Sequence, residues 1–538
     1  MRKLPIGIQD FENIRLKNYL YVDKTKQILN LIENGECYFL SRPRRFGKSL
    51  TLSTLEAMFK GKAELFKGLY AEDWVKEQAK HPSPVITLDM SGLGNYDTIE
   101  ELNNALIDYL GEIIDDYNLN IQLKENAGRI FVKIIKELYK KFGKVVLLID
   151  EYDKPITDNI NDLDTANKIR EFFRKFYGVI KNSSTIDNLH FVFITGVSKF
   201  SKAGVFSCLN NLDDISMFEE YGDIVGYTQQ ELEDNFGDWI DITAQKKSMS
   251  KKELLDKIKE YYDGFSFDGI TRVYNPFSVL KFFREAKFKN YWYISATPSF
   301  LVKYLKKHHI KNPDIYEQLK VKDNFADKHE IETASVESFL YQAGYLTIKN
   351  WRDNEITLDY PNEEVKSSLA DMYLDDVYHI EGYMTLGEDI WKALEESNIE
   401  NLVKIFNIAL KGVAYEDFNA NSKSLQLDEY SKYRIINEVS NEFWYRSMFV
   451  MLLRGAGIIY CAEVHTFRGR PDVVIVFKNK IVVIEFKFAK TSSEIDEKRK
   501  EGQEQIKSRD YASPYEGIGK KIITAVFVAD DEQRQIVL

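Results

Sequence analysis

Short apolar runs separated by longer amphipathic stretches organise this chain. Cys37-Tyr38-Phe39-Leu40 has strand length, and Leu50, Leu52, Leu55, Met58 and Phe59 then recur at a spacing that suits a helix packed on one face. Further apolar runs lie at 85–90, 145–149 and 190–194, with a short one at Ile224-Val225, and helical stretches separate them. This alternation predicts a parallel sheet with helices on both faces and a ligand edge at the carboxyl ends of its strands. Beyond Gly226 the pattern is largely helical, over 231–236, 251–262 and 277–283, and Asp268-Gly269 predicts a hairpin turn between short strands. Residues 310–425 mix short helices and strands, including a strand at 345–349, without recognisable chemistry. Near the C-terminus, two apolar runs flank Lys478-Asn479-Lys480 and predict a second hairpin.

A chain of 538 residues is too long for one core, so about three or four domains are expected. Apolar content of 44% with 29% charged residues fits a soluble globular protein. Cys37, Cys208 and Cys461 lie far apart without C-x-x-C spacing, which indicates neither a disulfide framework nor a zinc site and points to a reducing cytoplasm. The N-terminal MRKLPIGIQDFENI lacks an apolar core of signal-peptide length, and no stretch approaches the ~18 apolar residues of a membrane span. A net charge of -11 argues against a nucleic-acid platform over the whole surface. Residues 466–521 are locally positive all the same, with 13 Lys plus Arg against 9 Asp plus Glu.

SRPRRFGKS, Ser41 to Ser49, joins the first strand to its helix, and VVLLIDEYD, Val145 to Asp153, ends a buried strand in acids. A loop ending in Gly47-Lys48-Ser49 at a helix N-terminus points backbone N–H groups at phosphate. Lys48 would reach the β/γ oxygens and the Ser49 hydroxyl would coordinate Mg2+, while Asp150 would hold the Mg2+ shell and Glu151 would polarise the attacking water. The pattern G-x-x-x-x-G-K-[ST] asks for glycine where this chain has Arg42, so the loop is not standard. A bulky residue there is expected to alter the turn and lower affinity, with Pro43, Arg44 and Arg45 shaping and charging the loop instead. HFVFITGVSKF brings Thr195 and Ser198 to the same edge, where such groups either sense a γ-phosphate or cap the strand. ATP and Mg2+, or Mn2+ in its place, are the implied cofactors.

The C-terminal hairpin carries a second constellation. Val482, Ile484, Phe486 and Phe488 alternate onto one face and leave Glu485 and Lys487 on the other. A carboxylate in so apolar a strand needs a metal, a counter-charge or solvent, and Asp472, after Pro471, supplies a second acid across the hairpin. Asp472 and Glu485 would ligate one or two Mg2+ ions for phosphodiester cleavage, and Lys487 would orient the attacking water. Glu442, on the helix expected in NEFWYRSMFVMLLRGAG, is a third candidate acid, and Gln505 and Tyr511 would lie beside a DNA backbone. Glu-x-Lys on a strand is equally the pattern of a structural ion pair.

With YVDKT, SRPRRFGKSLTLSTL, LLIDEYDKPI, TGVSKFS, LNNLDDIS, VYNPFS, QAGYLTI, LLRGAG, GRPDVVI and IEFKF, the chain resembles, over nearly its whole length, a bacterial family. That family fuses an AAA-ATPase-like N-terminal domain to a PD-(D/E)XK nuclease-superfamily C-terminal domain, and Arg42 matches it. The resemblance implies an α/β multidomain protein with a P-loop AAA-like parallel sheet at 1–225 and a helical, winged-helix-like lid at 226–310. A mixed α/β connecting region at 311–425 and a PD-(D/E)XK nuclease-like α/β domain at 426–538 would follow. The expected function is a cytoplasmic ATP-dependent or ATP-gated Mg2+ nuclease acting on DNA, in defence against or maintenance of mobile elements. The competing reading is a nucleotide-dependent switch that binds DNA or protein through a non-cleaving nuclease-like module. AAA-type sites often borrow an arginine from a neighbouring copy, so a homo-oligomer is compatible, with Arg170 and Arg174 as open candidates for that arginine.

Overall fold

A computed structural model describes residues 1–94, 96, 98–159, 162–181, 183–199, 205–206, 212–296, 301–302, 317–326, 335–377, 380, 383–412, 441–458, 460–462, 470–517 and 519–538. Cys208 and the expected domain boundaries at 310 and 425 lie outside these residues. The chain divides into two compact units, Met1–Leu301 with Gln318–Val365, and Val302–Glu317 with Lys366–Leu538.

The first unit is built on five strands, β1 (Cys37–Ser41), β2 (Val85–Asp89), β3 (Val145–Asp150), β4 (Leu189–Gly196) and β5 (Asp213–Asp214). Their order is β2-β3-β4-β1-β5 and every pairing is parallel. β3 is buried at all six positions, which matches its unbroken apolar run and its place inside a sheet covered on both faces. Parallel pairing aligns every strand's carboxyl end, so Ser41, Asp150 and Gly196 come to one edge. The expected strand at Ile224-Val225 is a bend instead, although both side chains are buried. Burial there is met by packing alone, and the ladder position beside Tyr38 and Phe39 is taken by Asp213 and Asp214.

Three helices follow, Gln229–Lys247, Lys251–Tyr262 and Pro276–Glu285. Thr228 with Glu231 and Ser250 with Glu253 form capping boxes, and Asn275 caps the third helix with Pro276 in its first turn. Leu232, Phe236, Ile258, Val279 and Phe283 share one core between them. Between the second and third helices, a single antiparallel bridge, Phe265 to Val273, closes over the Asp268-Gly269 turn where short strands were expected. β6 (Leu319–Lys322), β7 (Thr347–Arg352) and β8 (Glu355–Asp359) form an antiparallel sheet, so the strand expected at 345–349 begins two residues later.

The second unit holds β9 (Tyr460–Ala462), β10 (Val473–Phe477), β11 (Lys480–Ala489), β12 (Lys521–Asp530) and β13 (Gln535–Val537), ordered β13-β12-β11-β10-β9. β10 and β11 form the expected hairpin, and β11 pairs with β12 in parallel through a crossover containing the helix Ile495–Ser508. That helix lies close to the sheet at Gly502, where a Cβ would stand 2.5 Å from Val526 Cγ1. On the helix Asn441–Gly455, Phe449 packs its ring against Phe486 and Phe527. Among the described residues, no helix is long and apolar enough to cross a membrane.

Candidate functional site

The phosphate loop leaves β1 after Ser41 and enters the helix Lys48–Phe59 through Gly47, whose φ of +104° is open to glycine at little cost. Arg42 is 1% exposed. Its Nη1 donates to the carbonyls of Ser41 at 2.9 Å and Ser216 at 2.6 Å, its Nη2 donates to Tyr221 at 3.2 Å, and its guanidinium lies 4.1 Å from the Phe267 ring centre. Burial lowers its pKa to about 10, which still leaves it charged at neutral pH. The side chain that replaces glycine thus leaves the loop and ties it to the segments after β5. Two other elements hold the loop as well: Trp292 Nε1 donates to the Arg44 carbonyl at 3.2 Å, and a Cβ on Gly344 would lie 2.8 Å from Pro43 Cβ. Arg45 is exposed, with its guanidinium 5.0 Å from the Phe277 ring centre. Lys48 is buried and donates to the carbonyls of Arg42 at 2.9 Å and Pro43 at 3.1 Å, so its ammonium rests inside its own loop. Burial lowers its pKa against the opposing pull of Asp150, Glu151 and Asp153.

At the end of β3, burial raises the pKa of Asp150, while a hydrogen bond from Ser49 and the charge of Lys48 pull it back. Burial likewise raises Glu151, whose backbone is left-handed at φ +48°. Thr195, at the end of β4, is fully buried and its hydroxyl has no protein partner. Ser198 is engaged elsewhere: its N–H and hydroxyl both donate to Asp153 Oδ2, at 2.7 and 2.8 Å. Arg44, Glu151, Asp153, Lys154, Thr157 and Ser198 line a shared cleft. Asp153, visible in DEYD but given no role from sequence, is 2% exposed, and its partners lie 44 and 45 positions away, beyond any local pattern.

In the second unit, the hairpin register pairs Val473 with Ile484 and so sets Asp472 opposite Glu485. Asp472 accepts from Phe486 N at 2.7 Å and Arg446 Nη1 at 3.0 Å. Glu485 is 2% exposed, its Oε1 accepts from Lys487 Nζ at 2.9 Å, and its buried Oε2 has no protein partner. Burial, then Asp472, raise the pKa of Glu485, and Glu442 adds to the shift against Lys487. Burial also raises Glu442, with Asp472 adding and Lys487 opposing. Arg446 was not singled out from sequence, although it follows Glu442 by four residues and so shares its helix face.

Carboxylate oxygens suit a hard divalent ion, and Glu485 Oε2 is a buried carboxyl oxygen without a protein donor, which a cation would satisfy. Among the described residues, no three His, Cys, Asp or Glu side chains gather to hold an ion, so Glu442 stands beside the pair Asp472 and Glu485 without completing a three-acid set. Gln505 Nε2 donates to the Tyr511 hydroxyl at 3.2 Å, and both residues line a groove with Arg470, Glu501, Ser508 and Arg509. The Tyr511 ring is a core group, packed with Val474, Ile481 and Val483, rather than a surface laid open to nucleic acid.

Residues 5–206 match the family described as AAA-ATPase-like, a predicted AAA-ATPase, and residues 440–538 match the PD-(D/E)XK nuclease superfamily. A protein of Azotobacter chroococcum mcd 1, described as an uncharacterized protein in vnfD 5'region, is 34% identical over 533 residues, spanning 97% of this chain and 95% of that one. Among solved structures, the Walker-type ATPase paby2304 of Pyrococcus abyssi aligns at 13% identity and a TM-score of 0.36, covering 69% of this chain and 98% of its own. The ORC2 protein of Aeropyrum pernix, solved as ADPNP-ADP complexes, aligns at 8% identity and a TM-score of 0.26, covering 65% and 92%. A relative matched over nearly the whole of both chains, with both family matches in their places, shows that this chain belongs to the family that joins a predicted AAA-ATPase domain to a PD-(D/E)XK nuclease-superfamily domain.

Proposed function

We propose that this protein is an ATP-dependent DNA nuclease that uses Mg2+ or Mn2+ at both of its sites. One observation carries the reading: each unit sets buried carboxylates beside a buried lysine at the rim of its sheet, Asp150 with Lys48 and Glu485 with Lys487. Unpaired buried charge is costly, and such arrangements concentrate at reactive centres. In the first site, Lys48 exchanges the Arg42 and Pro43 carbonyls for the β/γ oxygens of ATP, and Ser49 and Asp150 hold Mg2+. Water bonds to the γ-phosphorus as the bond to the β–γ bridging oxygen breaks; the water proton passes to Glu151 and ADP leaves with the electron pair. In the second site, Asp472 and Glu485 hold the ion, and Lys487 neutralises charge on the scissile phosphate. The ion supplies an acidified water and a charge for the leaving oxygen when bound. Gln505, with the arginines of its groove, tracks the DNA backbone.

Cleavage of circular and linear DNA in Mg2+ or Mn2+, with and without ATP, is the test. Parent activity lost in Glu485→Ala supports the nuclease, and activity lost in Lys48→Ala supports control by ATP. A second reading is favoured by Asp472, both of whose oxygens already hold protein donors. In it the C-terminal domain binds DNA without cutting and ATP sets a switch. DNA retained but never nicked while ATP is hydrolysed selects that reading, whereas a Glu485→Ala effect on stability alone reduces the acid to an ion pair. A role against mobile elements, or in their upkeep, is tested by phage plating and plasmid retention in cells carrying the parent or Glu485→Ala.

A further inference from the structure

We infer that Asp153 is a positioning residue for ATP hydrolysis, locking the turn that carries Glu151 to the turn that follows Thr195. The inference rests on the reading of Glu151 as the group that takes the water proton, and it assigns a residue which that reading leaves idle.

The chain leaving β3 and the chain leaving β4 are stitched together by a dense set of bonds. Tyr152 N donates to the Thr195 carbonyl at 3.2 Å, and the Tyr152 hydroxyl donates to the Ser198 carbonyl at 2.8 Å. Asp153 accepts from Val197 N at 3.2 Å and from both the N–H and the hydroxyl of Ser198, at 2.7 and 2.8 Å. Charge-assisted bonds of this kind are roughly twice as strong as neutral ones. The contact is also close: a Cβ on Gly196 would stand 2.5 Å from Asp153 Oδ1 and 2.6 Å from the Tyr152 ring. Between Asp150, which ends β3, and this stitched pair sits Glu151, in the left-handed region that a glutamate rarely adopts, at φ +48°. A strained conformation persists only where its surroundings over-determine it. β3 fixes the chain on one side of Glu151, and Tyr152 with Asp153 fixes it on the other. The same bonds hold the backbone beside the unpartnered Thr195 hydroxyl, so Glu151 and Thr195 are carried as one rigid pair on the edge that Lys48 and Ser49 share.

A misplaced general base slows the chemical step while leaving nucleotide binding, made by Lys48 and Ser49, intact. The experiment measures fluorescent-ATP affinity, kcat and KM, and melting temperature for the parent, Asp153→Asn, Ser198→Ala, Glu151→Gln and the double variant Glu151→Gln/Asp153→Asn. Asp153→Asn is expected to lose about tenfold or more in kcat with affinity held within about twofold. Ser198→Ala removes one bond of the set and is the milder variant, expected to lose about threefold in kcat should Asp153→Asn not fold. Residues acting as a unit are non-additive, so the double variant should be no slower than Glu151→Gln alone. Parental kcat in both Asp153→Asn and Ser198→Ala, or a loss confined to affinity or melting temperature, overturns the assignment while leaving Glu151 as the base. If Glu151→Gln is as fast as the parent, the underlying reading falls first, and the assignment falls with it.

Discussion

Arg42 stands where a phosphate loop ordinarily has glycine, and its guanidinium works away from the phosphates. Arg42→Gly would restore the standard motif yet leave the Ser216 carbonyl without its donor and the Tyr221 carbonyl with Ile224 N alone, at 3.4 Å. An orphaned buried acceptor costs about 1–3 kcal/mol, so a loss of that size is expected in urea unfolding. An unchanged midpoint would show that the guanidinium is dispensable. Thr195 predicts the reverse behaviour. Its buried hydroxyl has no protein partner, so Thr195→Val, which keeps the shape, should leave the melting temperature unchanged or raised. ATP hydrolysis by Thr195→Val should fall by about tenfold if that hydroxyl meets nucleotide or water. In the sequence Thr195 and Ser198 look alike, because a hydroxyl at a strand end carries no mark of its partner. Only the approach of Asp153 separates them.

Among the elements, the phosphate loop is held from outside by residues far along the chain. Phe46 packs its ring against Phe265 and Phe267, Trp292 reaches the Arg44 carbonyl, and Gly344 sits on Pro43 at φ +93°. Gly344→Ala combines a left-handed backbone, at about 1 kcal/mol for alanine, with a forced shift of Pro43. Weaker ATP-analogue binding is the expected result in equilibrium titration, and unchanged affinity would mean that the loop tolerates the push. The C-terminal hairpin was legible where this clamp was not. Alternation in IVVIEFKF puts Glu485 and Lys487 on one face, and the register then brings Asp472 opposite. Tyr511 was legible only in part: Tyr511→Phe should cost little, while Tyr511→Ala should cost about 3–5 kcal/mol in denaturation, as a core aromatic does.

Among the described residues, Asp263, Asp268, Glu364 and Asp530 are acids buried outside the two sites. Glu364 joins two parts of the first unit by accepting from Ser278 Oγ and Trp292 N, both at 2.9 Å, and burial raises its pKa from 4.5 to about 8. The folded chain therefore keeps a proton there that the unfolded chain releases above its ordinary pKa. Stability from this group is whole below pH 4.5 and is lost as pH rises through about 8. Glu364→Gln, neutral throughout, should flatten the fall in melting temperature between those limits, and parallel profiles for parent and variant would refute the shift. The two chemistries were readable in order along the chain, because a GKS turn, an apolar strand ending in acids and an alternating hairpin are set by residues a few positions apart. Asp153 gripping the turn 44 positions on, and Arg42 reaching 174 positions to Ser216, were not. Their partners include backbone N–H and C=O groups, which every residue but proline carries alike, so no side-chain pattern announces them and only folding selects which are met.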